Sequence, residues 1–220
     1  MVGAVSLAGD ADALMRRRPV IPILTIDAVE QAVPLAQALV RGGLDVMEVT
    51  LRTPVALEAI REIGRHVPEA LLGAGTVLNR TDLAAALEAG AKFIVTPGLT
   101  DGLLDALLDA GVPLLPGVAS ASEVMRALDV GLTRFKFFPA EAAGGPASLS
   151  AFQGPFAMAK FCPTGGVSAA NAAAYLLLPN VLCVGGSWVA PASAIGSGDW
   201  PRITALARAA AALERPLVRA

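Results

Sequence analysis

Eight short runs of branched and apolar residues recur along the 220-residue chain at intervals of 20–26 residues. They are VIPILT from Val20, DVMEVT from Asp45, LLGAGT from Leu71, KFIVTP from Lys92, VPLLPG from Val112, RFKFFP from Arg134, KFCPTGG from Lys160 and VLCVGGS from Val181. Ala- and Leu-rich stretches of helical periodicity lie between them, among them AVEQAVPLAQALVRGG, TPVALEAIREIGRHV and TDLAAALEAGA. Gly42, Gly90, Gly111 and Gly131 stand where helices would close on a left-handed cap. Strands that are apolar almost throughout are buried on both faces, which points to a parallel sheet. Eight strand–helix units in a chain of this length make a single (β/α)8 TIM barrel the expected fold, spanning 19–220. A doubly wound open sheet is the alternative, since strand order cannot be read from sequence. Residues 1–18 are left as an N-terminal extension or helix.

The polar residues of the runs gather at their C-terminal ends: Thr25, Glu48 with Thr50 and Arg52, Thr76, Thr96, Lys136, Thr164 and Ser187. In either parallel architecture these ends form the ligand-binding mouth. Strand parity refines the picture. In RFKFF, Arg134, Lys136 and Phe138 share one face, and Phe135 and Phe137 share the other. The two phenylalanines face the helix layer and Lys136 faces inward. In DVMEVT the same parity turns Glu48 inward with Val46 and Thr50.

A lysine amine attacks carbonyls only when neutral, and a dry setting favours that form. The imine it makes with a ketone withdraws electrons, and a carboxylate within reach moves protons on the adjoining carbons. Lys136 and Glu48 therefore form a candidate Schiff-base pair. Their alternative reading is a structural ion pair, because buried charges are normally paired. Arg52, four residues beyond Glu48, has the planar fork that suits a substrate carboxylate. Gly165-Gly166 after the seventh run and Gly186-Ser187 after the eighth occupy the loops that commonly hold a phosphate in such barrels.

Other classes fall away. Apolar residues make up 55% and charged residues 16%, so a large core is expected and disorder is not. The net charge of −2 and the scattered basic residues argue against nucleic acid. The one basic run, Arg16-Arg17-Arg18, reads as a solvated helix end. Charges and prolines interrupt every apolar stretch, so no membrane segment is expected. Acidic residues precede the basic ones at the N-terminus, the wrong order for a secretory signal. Cys162 and Cys183 read as buried free thiols of a reducing, cytoplasmic compartment. His66 is the sole histidine and lies at a helix end, GRHVP, which argues against a histidine metal site or a catalytic triad.

EVTLRT (Glu48–Thr53), GAGTVLN (Gly73–Asn79), PGLT (Pro97–Thr100), FKFFPAE (Phe135–Glu141), FCPTGG (Phe161–Gly166) and VLCVGGSW (Val181–Trp188) together resemble the KDPG aldolases, whose substrate is 2-keto-3-deoxy-6-phosphogluconate. The resemblance runs from about Pro19 to the C-terminal helix, with the motifs in the family's order. It implies a class I aldolase on a (β/α)8 barrel, homotrimeric and independent of metals and cofactors. Such an enzyme cleaves KDPG to pyruvate and glyceraldehyde 3-phosphate in the Entner–Doudoroff pathway. Many members also cleave 4-hydroxy-2-oxoglutarate to pyruvate and glyoxylate. Carried onto this sequence, the Schiff-base lysine is Lys136, the acid/base is Glu48, and Arg52 with Thr76 receives the pyruvate carboxylate. Pro97, Phe138 and Thr164 line the pocket, and Gly165, Gly166, Gly186 and Ser187 form the phosphate end. Ala143 departs from relatives that often carry Asn there. Alternatives remain open: an aldolase for the galacto-configured substrate, a phosphate-binding barrel without imine chemistry, and a non-catalytic sugar-phosphate binder.

Overall fold

The computed structural model describes residues 2–214, with side chains from Asp10 onward. In chain order the elements are α1 (Val2–Arg17), β1 (Val20–Leu24), α2 (Val29–Arg41), β2 (Val46–Thr50), α3 (Ala56–His66), β3 (Leu71–Gly75), α4 (Arg80–Glu88), β4 (Phe93–Val95), α5 (Asp101–Leu108), β5 (Leu114–Leu115), β6 (Gly117–Val118), α6 (Ala121–Asp129), β7 (Arg134–Phe137), α7 (Gly145–Phe152), β8 (Lys160–Pro163), α8 (Ala172–Leu176), β9 (Val184–Gly186), α9 (Ala192–Gly196) and α10 (Trp200–Ala211). All paired strands run parallel. Six pair in the order β5-β4-β3-β2-β1-β9 and three in the order β6-β7-β8.

Two junctions curl these sheets into one (β/α)8 barrel. The fifth run is split at Pro116, which cannot donate to a ladder. Its first half pairs with β4 and its second half with β7. The other junction joins β8 to the eighth run through bridges Phe161↔Val181 and Thr164↔Gly185, with Leu182 N–H donating to Phe161 O at 3.1 Å.

Two apolar clusters match the two faces of the ring. Phe135, Phe137 and Phe161 pack outward against the helices, with Phe152 and Phe156 among their aromatic neighbours. The interior holds Ile21, Val46, Phe93, Val95, Leu115, Cys162, Leu182 and Cys183, joined by Ala11, Leu14 and Met15 of α1. α1 therefore plugs the N-terminal end of the barrel. Gly73 makes interior space, since a Cβ there would lie 2.2 Å from the Phe93 ring across the strand pair. The two cysteines are buried and free.

The structure corrects two local expectations. The left-handed residue after α2 is Gly43, at φ +92°, whereas Gly42 has φ −80°. Gly42 instead allows close helix packing: a Cβ there would meet Ala207 of α10 at 2.4 Å. Gly90, Gly111 and Gly131 do have positive φ. The basic run is also not simply a solvated end. Arg17 and Arg18 both hold Asp45 at 2.6 Å, just ahead of β2, and Arg16 pairs with Asp12.

Candidate active site

β7 and β2 aim Lys136 and Glu48 at each other across the barrel. The Lys136 amine lies 3.2 Å from Glu48 Oε1, and the two side chains are 4% and 3% exposed. The Phe138 ring, one step up the same face, lies 5.2 Å from that nitrogen. The amine thus has one carboxylate and one aromatic face as neighbours and little water, a setting in which a carbonyl can be attacked and its protons moved without competing solvent.

Gly75 makes room for the pair. A Cβ at Gly75 would lie 1.9 Å from Glu48 Oε1, so the carboxylate occupies space that only glycine leaves open. GAGT is legible as a motif in the sequence, but this requirement is not. Beside the pair, Arg52 Nε donates to Thr76 Oγ1 at 3.2 Å. Thr76 is the one described non-glycine residue with positive φ, at +60°, a conformation disfavoured for a β-branched side chain. Such local cost is the kind that accumulates at functional sites. Pro97 lies against β6, where a Cβ at Gly117 would meet its carbonyl carbon at 2.3 Å. Thr96 is absorbed into this turn, donating to Gly98 O at 2.6 Å and accepting from Gly117 N–H at 3.1 Å.

The loops after β8 and β9 lie next to each other. Thr164 bridges Gly185, and a Cβ on Gly185 would meet Thr164 Oγ1 at 2.2 Å. Gly165 and Gly166 take φ of +98° and +81°. Added Cβ atoms would meet Phe138 and Pro139 at Gly165, Glu141 at Gly166 and the Trp188 ring at Gly186. Among the described residues no acceptor pairs with the N–H groups of Gly165, Gly166 or Ser187. The glycines thus admit the protein's own Phe138, Glu141 and Trp188 side chains, and the unpaired backbone donors beside them suit an anion.

Three residues that sequence reasoning missed hold this end in place. Tyr175 of α8 donates a short hydrogen bond to Glu141 Oε1, and the stem of Glu141 lies under Gly166. Burial, with the Glu141 carboxylate beside it, pushes the Tyr175 phenol well above its ordinary value, so it remains a donor. Asn171 accepts from Ser168 N–H at 2.7 Å and donates to Gly166 O at 3.1 Å. The sequence offered two signals, Glu141 as the last residue of FKFFPAE and Tyr175 as the sole tyrosine, but neither showed that the two would meet. His66 is 55% exposed and far down α3's C-terminal end. Among the described residues no group of three or more His, Cys, Asp or Glu side chains could hold a metal ion.

Residues 11–206 match the family of KDPG and KHG aldolases. The chain belongs to that family. The KHG/KDPG aldolase of Escherichia coli K12 is 54% identical over 200 residues, covering 91% of this chain and 94% of the relative. The KDPG aldolase of Zymomonas mobilis ZM4, solved with 3-phosphoglycerate, superposes with a TM-score of 0.91 at 52% identity, covering 96% of this chain and all of that one. The KDPG aldolase of Legionella pneumophila, solved with pyruvate captured as a covalent carbinolamine, has a TM-score of 0.90 at 48% identity and covers 92% and 98% of the two chains.

Proposed function

We propose that this protein is a class I pyruvate aldolase that cleaves KDPG to pyruvate and D-glyceraldehyde 3-phosphate, and 4-hydroxy-2-oxoglutarate to pyruvate and glyoxylate. The observation that carries this reading is the buried Lys136 amine 3.2 Å from the Glu48 carboxylate at the mouth of the barrel. The amine attacks the C2 ketone, and water leaves as the iminium forms. The iminium draws electrons from the C3–C4 bond. Glu48, through a water, accepts the C4 hydroxyl proton as that bond breaks and the aldehyde departs. Glu48 then returns a proton to the pyruvyl enamine, and hydrolysis frees pyruvate and Lys136. Arg52 and Thr76 receive the pyruvate carboxylate, Pro97, Phe138 and Thr164 enclose the carbon chain, and Gly165, Gly166, Gly186 and Ser187 take the phosphate.

Family membership supports a homotrimeric, cytoplasmic enzyme of the Entner–Doudoroff pathway, acting on small molecules alone without metal or cofactor. The described residues from Pro19 onward form the catalytic barrel, and α1 closes its lower end. No helix among the described residues is long and apolar enough to cross a membrane. A lactate-dehydrogenase-coupled assay tests the reading. Wild-type protein is expected to release pyruvate from KDPG faster than from the galacto-configured isomer, and Lys136→Met to release none. Retained activity in Lys136→Met would favour chemistry without an imine, and no release by the wild type would favour a binding protein.

A further inference from the structure

Thr25 lies just beyond β1 and remains exposed, although it hydrogen-bonds to the fully buried Thr50, Oγ1 to Oγ1, at 3.2 Å. Ile21 and Ile23 belong to the barrel interior, so strand parity places Thr25 in the same inward column, at the mouth. The hydroxyl protons can be assigned by counting. Thr50 has one, and it goes to Leu24 O at 2.9 Å. The Thr25–Thr50 bond must therefore use the Thr25 proton. Thr25 Oγ1 is left as an acceptor facing the mouth, able to bind a ligand group only if that group donates. A phosphate or a carboxylate cannot do so, whereas a hydroxyl can.

The position of β1 identifies which hydroxyl. β1 pairs with β2 on one side, Ile23 opposite Glu48, and with β9 on the other, Pro22 opposite Gly186. Across the mouth the order is Glu48, Thr25, then the Gly186-Ser187 loop. Along KDPG the order is C4 hydroxyl, C5 hydroxyl, then C6 phosphate. We infer that Thr25 accepts a hydrogen bond from the C5 hydroxyl and is a specificity-determining residue for the phosphorylated six-carbon substrate. 4-Hydroxy-2-oxoglutarate carries a carboxylate at C5 and gains nothing from this acceptor. The inference rests on the aldolase reading above.

The test runs the reaction toward condensation, with pyruvate and either D-glyceraldehyde 3-phosphate or 3-oxopropyl phosphate. The second aldehyde keeps the phosphate but lacks the hydroxyl that becomes the C5 hydroxyl. Thr25→Val, which preserves side-chain shape, is expected to lower kcat/KM for glyceraldehyde 3-phosphate by about three- to tenfold, mainly through KM. Turnover of 3-oxopropyl phosphate should stay near wild type, and Thr25→Ser should restore the preference. Unchanged or equal losses on the two aldehydes would overturn the inference. So would loss of pyruvate trapping by borohydride in Thr25→Val, which would make Thr25 a support for the lysine. A wild-type protein that condenses neither aldehyde would overturn the aldolase reading itself, so the two failures are distinguishable.

Discussion

Glu48 and Lys136 are held where water barely reaches either, and removing one partner of such a pair typically costs about 3–5 kcal/mol. Two roles for Glu48 can be told apart. If it only neutralises Lys136, Glu48→Gln leaves the amine without its anion, and imine formation with pyruvate survives or accelerates with no later defect. If it carries protons, Glu48→Gln traps pyruvate near normally under borohydride but loses about 10²–10⁴-fold in KDPG cleavage. Exchange of the pyruvate methyl protons with deuterated water should slow to match, since it reports enamine protonation apart from carbon–carbon cleavage. Wild-type exchange in the variant would remove Glu48 from the mechanism. Gly75 makes a second residue-scale prediction. A methyl there collides with the Glu48 carboxylate, so Gly75→Ala should displace it by about an ångström and cost on the order of 10²-fold in kcat/KM. Its effect should be absent when Glu48 is already Gln or Ala and the acid/base role is gone.

At the scale of elements, the loop after β8 and the plug α1 serve opposite ends of the barrel. Gly166 combines φ +81° with contact to Glu141, so Gly166→Ala strains the loop whatever the substrate. If the loop also binds phosphate, KDPG cleavage should fall by a larger factor than cleavage of 4-hydroxy-2-oxoglutarate, which has no phosphate. Equal factors would assign the glycine a turn-shaping role alone. At the other end, Asp12 of α1 reaches Arg134 of β7 at 2.6 Å and Arg16 on its own helix. Partial burial works to raise the Asp12 carboxyl, but hydrogen bonds from Arg16 and Arg134 outweigh it and hold the group below its ordinary value of 3.8. A group lowered in the folded state contributes stability that is complete above its unfolded value and is lost as pH falls through the folded one. Asp12→Asn should therefore destabilise on the order of 1 kcal/mol across neutral pH, with the difference closing only below about pH 4. Thermal melts of both proteins over that range check it. A difference that changed between pH 5 and 8 would point to another group.

At the scale of the whole molecule, the architecture was legible because barrel strands announce themselves as repeated apolar runs, and because the inward face of RFKFF and DVMEVT follows from parity alone. Lys136 and Glu48 stand out as charges in otherwise apolar runs, which is why their meeting could be anticipated. What could not be read depends on distant contacts. The split at Pro116 becomes a barrel junction only because β4 and β7 flank it. Gly42 looks like a helix cap until α10, more than 150 residues away, is seen against it. Glu141 and Tyr175 are 34 residues apart and meet only through the packing of α8. The central claim is that Lys136 forms an imine with pyruvate, and the most direct measurement is borohydride reduction of the protein with pyruvate, followed by peptide mapping. A single 1-carboxyethyl adduct, the secondary amine left by reducing the pyruvate imine, on the peptide containing Lys136 is the predicted result. Label on Lys92 or Lys160 instead, or no label at all, would contradict it.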